Sequence, residues 1–149
     1  MNMNEFDLQV RYHIYDSCME RGQPPLIDEL SAILNVSKEQ IGDALANLAE
    51  AHMLVLQKDS GEILMANPFS AVPTSFLVET QKFSCYGNCI WDSLGIAAML
   101  HQDVRIRTSC ADCGRALEIK IIQGTVQADK ALIHFAIPAR HWWDDIVFT

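Results

Sequence analysis

Basic residues are scarce in this chain of 149 residues: 11 lysines and arginines stand against 19 aspartates and glutamates, for a formal net charge of −8. Proteins that bind nucleic acid contact its phosphate backbone first through lysine and arginine, so this balance disfavours a nucleic-acid partner. The chain also lacks any run approaching the ~20 apolar residues of a membrane span, and its N-terminus has no basic region followed by an apolar one. We therefore expect a cytoplasmic protein without a membrane segment.

Several common catalytic motifs are also missing. The sequence contains no Gly-x-Gly-x-x-Gly or phosphate-binding loop, and no serine in a Gly-x-Ser-x-Gly pattern. Nucleotide and acyl-transfer chemistry are therefore disfavoured. Half of the residues are hydrophobic, which is enough for a packed interior in one domain or in two small units that share a core.

The first half of the chain has the pattern of three helices followed by a hairpin. Apolar residues recur at four-residue steps from Phe6 to Cys18, and Gly22 ends that stripe. Ser37 and Gln40 form a capping-box pattern at the start of the third helix. This order predicts a winged-helix-like unit. Its further elements are a second helix over 26–34 and strands over 52–56 and 63–65, joined by a turn at 59–61.

A linker over 67–73, bounded by two prolines, separates this unit from the rest of the chain. We place the boundary at residue 73, which gives units 1–73 and 74–149. The apolar pattern of the second unit predicts a small mixed sheet with one main helix, so the expected fold class is α+β. Its elements are a strand over 76–83, a helix over 89–100, and strands over 104–109, 116–122, 132–137 and 145–148.

The chain has five cysteines, and four of them lie between residues 85 and 113. In a reducing compartment, clustered thiols indicate metal binding or catalysis rather than disulfides. Cys85-x3-Cys89 followed by Cys110-x2-Cys113 is close to the spacing of a four-thiolate zinc site. One hypothesis is therefore a non-enzymatic zinc-binding module that uses these four residues.

Cys89 also stands three residues before Asp92 at the start of the predicted apolar helix. Residues at i and i+3 lie on the same face of an α-helix, about one turn apart. The thiol and the carboxyl group are therefore expected to contact the same bound atom. This second interpretation requires Cys89 to be a free nucleophile and a soft-metal ligand.

The segment 86–100, with Tyr86, Cys89 and Asp92 at these spacings, resembles the motif of the alkylmercury lyases. Weaker matches extend the resemblance over residues 24–149. They include the helical region 37–48, the Thr-Ser-Cys-Ala sequence at 108–111 and the apolar segment 132–138. Cys113 is not expected from this resemblance.

The resemblance implies an enzyme that cleaves carbon–mercury bonds by protonation. Cys89 would capture the mercury, helped by a helix N-terminus that lowers the pKa of its thiol, and Asp92 would deliver the proton. Asp92 needs a pKa raised by burial for that role. Tyr86 and Trp91 would contact the substrate. No organic cofactor is implied: mercury enters in a small organomercurial and leaves as Hg²⁺, removed by cellular thiols or a mercuric-ion acceptor protein.

The family uses a second cysteine, downstream of the segment that 141–149 resembles, and this chain contains no such residue. We therefore expect a fragment or a shortened relative. Either Cys85, Cys110 or Cys113 would replace that thiol, or the protein would bind mercury without efficient turnover.

A third hypothesis is a metal-responsive regulator that uses the winged helix. The third helix carries Lys38 against Glu39, Asp43 and Glu50, which disfavours contact with DNA phosphates. Near the C-terminus, the sequence favours structural roles, with His134 packed on a strand and the pair 142–143 covering part of the core.

Overall fold

The computed structural model describes residues 3–128 and 130–147 of the chain. Helices form its first third, and a β-sheet with one further long helix follows, which confirms the predicted α+β class. None of the described helices is long and apolar enough to cross a lipid bilayer. The elements in chain order are α1 (Glu5–Arg21), α2 (Ile27–Leu34), α3 (Lys38–Glu50), β1 (Val55–Leu56), β2 (Ile63–Ala66), β3 (Phe69–Ser70), β4 (Leu77–Glu79), β5 (Ser84–Gly87), α4 (Ile90–Leu100), β6 (Val104–Ser109), β7 (Ala116–Ile122), β8 (Thr125–Gln127) and a 3-10 helix (Ala139–Asp144).

Local capping chemistry sets the ends of the N-terminal helices. α1 ends at Gly22, whose φ of +78° and contact with the Phe83 ring leave no room for a side chain. At the start of α3, the Gln40 backbone N–H donates to Ser37 Oγ at 3.2 Å, and the Gln40 side chain accepts from the Ser37 N–H at 3.1 Å. The capping box predicted from the sequence is therefore confirmed.

The predicted apolar stripe of α1 is buried in the core. Val10, Ile14 and Cys18 have no exposed surface and belong to one apolar cluster with residues of α2 and α3. The antiparallel pair β1–β2 follows α3 along the chain. Three helices followed by a hairpin is the order expected of a winged helix, and the assignment to that class stays a prediction.

One antiparallel sheet joins the two halves of the chain, in the order β1-β2-β3-β5-β4-β6-β7-β8. This differs from the small mixed sheet predicted beyond residue 73. The connecting strand β3 lies inside the predicted linker, where buried Phe69 pairs with Ala66 on one side and Gly87 on the other. The prolines at 68 and 73 flank this short strand without interrupting its pairing. The domain boundary at residue 73 stays a prediction, and the sheet continues across it.

The sheet is antiparallel because of where α4 leads the chain. A helix between two strands predicts that they pair in parallel. Here α4 connects β5 to β6, but β4 lies between those two strands and pairs antiparallel with both. The single strand predicted over 76–83 contains β4 and the turn at 80–83 that leads to β5, while the strands over 104–109 and 116–122 are confirmed.

Alternating residues divide the sheet into a buried and an exposed face. Val78, Cys85 and Ile106 occupy paired positions and are buried. The opposite face carries exposed ion pairs, among them Arg107 with Glu79 at 3.2 Å. This face is the polar, solvated side of the sheet.

The two strands predicted after β8 do not form among the described residues. Residues 131–137 contain no strand, and Leu132 is 95% exposed. The predicted strand over 145–148 is replaced at 145–147 by bend and turn, and its last residue lies outside the described residues. Apolar alternation favours a strand only where a sheet edge accepts its hydrogen bonds, and the described part of this segment pairs with neither edge strand, β1 or β8. This segment instead folds back toward the start of α4.

Candidate active site

Cys89 is the N-cap residue of α4, at the point where β5 leads into the helix. Its backbone is extended, and its Sγ accepts a hydrogen bond from the Asp92 backbone N–H at 3.4 Å. The Ser93 hydroxyl donates to the Cys89 carbonyl at 2.8 Å. A thiol therefore takes the position that a serine or aspartate side chain usually has at a helix start. The helix predicted over 89–100 is confirmed with Cys89 as its cap.

Gly87 allows α4 to pack against β5 just before this cap. A Cβ atom at residue 87 would lie 2.3 Å from Ser93 Oγ and 3.0 Å from the Ser93 backbone nitrogen. Ser93 itself is fully buried. The close approach therefore requires glycine, and it places the Cys89 thiol at the edge of the packed interior.

Asp92 lies beside Cys89, as the spacing predicts. The neighbouring side chains of Asn88 and Cys89 act on its carboxyl group and lower its pKa. Burial has the larger effect and raises the pKa of Asp92 above its ordinary value, and these two side chains only partly offset it. A carboxyl group with a raised pKa is better able to hold and donate a proton near neutral pH.

Burial also raises the pKa of the Cys89 thiol, and this corrects an expectation from the sequence. The backbone N–H groups of Asp92 and Trp91 lower the pKa, as expected at a helix N-terminus. Removal from water has the larger effect, and the nearby Asp92 carboxylate raises the pKa further. On balance the Cys89 thiol is therefore less acidic than an ordinary cysteine.

A pocket of about 590 Å³ opens beside the two side chains. Cys89, Asp92 and Trp91 line it together with residues that precede α4 and with the C-terminal segment 134–147. Its surface is largely aromatic and aliphatic, apart from the thiol, the carboxyl group and a few polar side chains. Concave apolar sites with a few convergent polar groups are the usual form of a small-molecule binding site.

Aromatic contacts hold the C-terminal segment against the pocket. Trp91 meets Phe135 edge to face, with ring centroids 6.1 Å apart, and Phe135 contacts Trp142 at 5.4 Å. Trp143 stacks on His52, which follows α3, at 4.3 Å and an interplanar angle of 6°. The segment thereby covers the site, although it forms no strand.

Sequence reasoning missed part of this wall and named one residue that is not among those lining it. His134, Trp142 and Trp143, for which structural roles were expected, line the pocket. The adjacent tryptophans were a visible signal, but nothing local indicated that they fold back to α4. Tyr86, predicted to contact the substrate, is not among the lining residues: it lies within β5 and pairs with Ser70 and Leu77.

A chain of hydrogen bonds connects α1 to the start of α4. The Tyr15 hydroxyl donates to the Asn67 carbonyl at 2.9 Å, and the Asn88 amide donates to the Asn67 side-chain oxygen at 3.0 Å. Asn88 in turn is the neighbour that lowers the pKa of the Asp92 carboxyl group. The N-terminal helices thus help to position this neighbour of the carboxyl group, a connection that the sequence did not predict.

The four cysteines of the predicted zinc set are not brought together. Cys85 is buried in the sheet with a pKa raised to about 12, while Cys110 and Cys113 lie in the turn between β6 and β7. Within residues 3–128 and 130–147, no group of three or more His, Cys, Asp or Glu side chains is arranged to hold a metal ion. Zinc is therefore not supported, and of the described cysteines only Cys89 lines the pocket.

Comparison with known proteins agrees with this geometry. The family model of alkylmercury lyase (MerB) matches residues 69–149, more than half of the chain. The fold is similar to the crystal structure of the mercury-bound form of MerB2, with a TM-score of 0.66 and 21% identity over 85% of this chain. The chain spans 60% of that protein's length. Comparison with curated protein sequences gave no match. The chain belongs to the alkylmercury lyase family.

Proposed function

We propose that this protein cleaves the carbon–mercury bond of small organomercurials by protonolysis, with Cys89 as the mercury ligand and Asp92 as the proton donor. The observation that carries the proposal is that Cys89 and Asp92, joined by the bond from the Asp92 backbone N–H to Cys89 Sγ, line the same pocket of about 590 Å³. Family membership supports the reaction class. The similar fold of a mercury-bound protein supports mercury as the bound element.

In the first step, the Cys89 thiol attacks the mercury atom of the substrate. A sulfur–mercury bond forms, the exchangeable ligand on mercury leaves, and the thiol proton passes to the neighbouring Asp92 carboxylate. The raised pKa of Asp92 favours this transfer because the buried carboxyl group is more stable when neutral. Mercury is a soft ion, and a thiolate is the protein ligand that binds such ions best.

In the second step, Asp92 protonates the carbon atom as the carbon–mercury bond breaks. Both electrons of that bond go to the carbon, which leaves as a hydrocarbon, while mercury stays on sulfur as Hg²⁺. An alkyl carbanion is a very poor leaving group in water, so the acid must lie next to the carbon before the bond lengthens. Asp92 is one helical turn from Cys89, which suits it to this role.

A free thiol from the cell would supply the second sulfur that Hg²⁺ requires. Of the cysteines in the described part of the chain, Cys89 alone lines the pocket, so a small-molecule thiol or a mercuric-ion acceptor protein would complete the coordination and remove the product. A reducing compartment such as the cytoplasm provides such thiols. No organic cofactor takes part in these steps.

The pocket suits an apolar organic group. Phe135, Trp142 and Trp91 form a wall on which an alkyl or aryl group loses water and gains contact area.

We also propose that residues 1–73 form a winged-helix-like unit that supports a catalytic core over 74–149. The hydrogen bonds from Tyr15 through Asn67 to Asn88 join the two units and support a structural role for the first one.

Hydrocarbon release from an arylmercurial in the presence of excess thiol tests the proposal. We expect the parent protein to release benzene from phenylmercuric acetate, measured by gas chromatography. Asp92→Asn removes the acid at nearly constant shape and should slow release by about 10²- to 10⁴-fold. Cys89→Ser keeps a good helix cap but loses the soft ligand, and it should abolish release.

Asp43→Asn is the matched control, because Asp43 is an exposed carboxylate on α3 far from the pocket lining. It should release benzene at the parent rate. Release that is unchanged in Cys89→Ser or in Asp92→Asn, with a normally folded protein, would contradict the proposed mechanism.

A further inference from the structure

The turn between β6 and β7 holds two thiols outside the pocket. Cys110 and Cys113 stand on either side of Ala111 and Asp112, and neither lines the site around Cys89. The Cys110 N–H donates to the Arg115 carbonyl at 2.8 Å, and the Gly114 N–H donates to the Cys110 carbonyl at 2.8 Å. These bonds close the turn at the end of the β6–β7 ladder and fix the two cysteines relative to each other.

Gly114 makes this turn possible. Its φ is +71°, a left-handed conformation that residues with a side chain rarely adopt, and it follows Cys113 directly. A glycine here lets the chain reverse immediately after the second thiol. Both cysteines consequently lie on the same short loop, Cys110 half-buried and Cys113 exposed.

The two thiols are available for a ligand. Both are free cysteines, and they stand three residues apart in a turn that backbone hydrogen bonds close. The pair is therefore an accessible dithiol on one short loop.

We propose that Cys110 and Cys113 form a second metal site, a two-thiolate chelate for soft cations of low coordination number such as Hg²⁺ or Cu⁺. Soft thiolates select such ions. The described residues offer no third His, Cys, Asp or Glu ligand to this pair, which argues against the tetrahedral coordination that zinc prefers. Binding forms two metal–sulfur bonds and releases the two thiol protons to solvent, without any redox change. The site is independent of the proposed lyase reaction, because it does not involve Cys89.

Mercury retention against a competing monothiol tests this site. The full-length, reduced Cys89→Ser protein is mixed with Hg²⁺ and an excess of a monothiol, then desalted and analysed for bound metal. The second bond of a chelate forms within the molecule, so the pair should retain about one mercuric ion per chain where a single thiol cannot. Cys110→Ser and Cys113→Ser, each added to this protein, should lower retention by about tenfold or more. Ser109→Ala, next to the pair, should retain the parent amount.

Parallel measurements distinguish the two candidate ions and keep the test independent of folding. If Cu⁺ retention also falls in Cys110→Ser and Cys113→Ser, then Cu⁺ is a second ion that this site binds. Zn²⁺ should be lost on dialysis. Bound Hg²⁺ should protect Cys110 and Cys113 together from alkylation, as measured by peptide mass spectrometry. Retention that is equal in the parent and both cysteine variants, or protection confined to Cys18 and Cys85, would overturn the proposal.

Discussion

Cys89 and Cys110 both follow β-strands, and in both the backbone N–H groups two and three residues ahead lower the pKa of the thiol, yet the net pKa shifts have opposite directions. These groups belong to Trp91 and Asp92 at the start of α4 for Cys89, and to Asp112 and Cys113 in an exposed turn for Cys110. Each also has an aspartate nearby. The pKa of Cys89 is raised, and the pKa of Cys110 is lowered.

The difference comes from water rather than from local hydrogen bonding. Desolvation is the largest influence on Cys89 because α4 packs tightly onto β5, whereas it contributes little to Cys110. The same backbone pattern thus gives a less acidic, sheltered thiol at one place and an accessible, acidic thiol at the other. The first suits reaction with a bound electrophile, and the second suits direct capture of a free metal ion.

Gly87→Ala should have the largest effect on this difference, because it disturbs the packing that keeps water from Cys89. The added methyl group would overlap Ser93 and push α4 away from β5, which we expect to lower the free energy of unfolding by about 3 kcal/mol. Chemical denaturation measures this loss, and Cys89 should become easier to alkylate. Gly42→Ala is the matched control: its Cβ meets nothing within 4 Å inside α3, so stability should rise by up to about 1 kcal/mol. Equal stability of the two variants would contradict the packing argument.

Alkylation rates should sharpen the contrast directly. At neutral pH we expect iodoacetamide to modify Cys110 at least about tenfold faster than Cys89, since each pKa unit changes the thiolate fraction tenfold. Peptide mass spectrometry over a time course resolves the two sites in one sample. Comparable rates at Cys89 and Cys110 would show that burial does not control the acidity of the pocket thiol.

Removing the neighbouring carboxylates should have a smaller effect, and an unequal one. Asp92 raises the pKa of Cys89, so Asp92→Asn should speed alkylation of Cys89 by about two- to fivefold while it slows hydrocarbon release. Asp112 raises the pKa of Cys110 in the same way, but solvent and salt screen charges in an exposed turn. Asp112→Asn should therefore change the rate at Cys110 less. A larger effect at Cys110 would be inconsistent with this account.

The smallest effect concerns stability as a function of pH. The pKa of Asp92 is raised in the folded state above its ordinary value of 3.8, so its stabilising contribution is complete below that value and declines as pH rises through the folded pKa. Asp92→Asn mimics the neutral form. Its melting temperature should equal that of the parent at about pH 3 and exceed it by a few degrees at about pH 7. A difference that stays constant with pH would mean that Asp92 does not titrate as proposed.

Local sequence patterns predicted the elements whose determinants lie within a few residues. The capping pair Ser37 and Gln40 set the start of α3, and Gly22 set the end of α1. The adjacency of Cys89 and Asp92 followed from helical spacing alone, and so did the position of Cys89 at the helix start. In each case the interacting atoms belong to one turn of chain, so distant residues had little influence.

Patterns that depend on distant partners were read less well. The prolines around Phe69 suggested a linker. Instead, Phe69 belongs to β3, which pairs with β2 on one side and β5 on the other. The apolar alternation after Lys130 suggested a strand, but no sheet edge receives it. Cys85 and Cys89 belong to a set of four cysteines whose spacing is close to that of a zinc site, yet Cys85 is buried in the core and Cys89 lines the pocket.

By itself, the sequence determined the helices, the principal strands and the pairing of a thiol with a carboxyl group, because helix capping and one-turn spacing are local properties of the chain. Tertiary structure decided which thiols stay apart, which aromatic side chains enclose the pocket and whether Cys89 is more or less acidic than a free cysteine. Those outcomes depend on how much water packing removes, and only the assembled fold sets that amount.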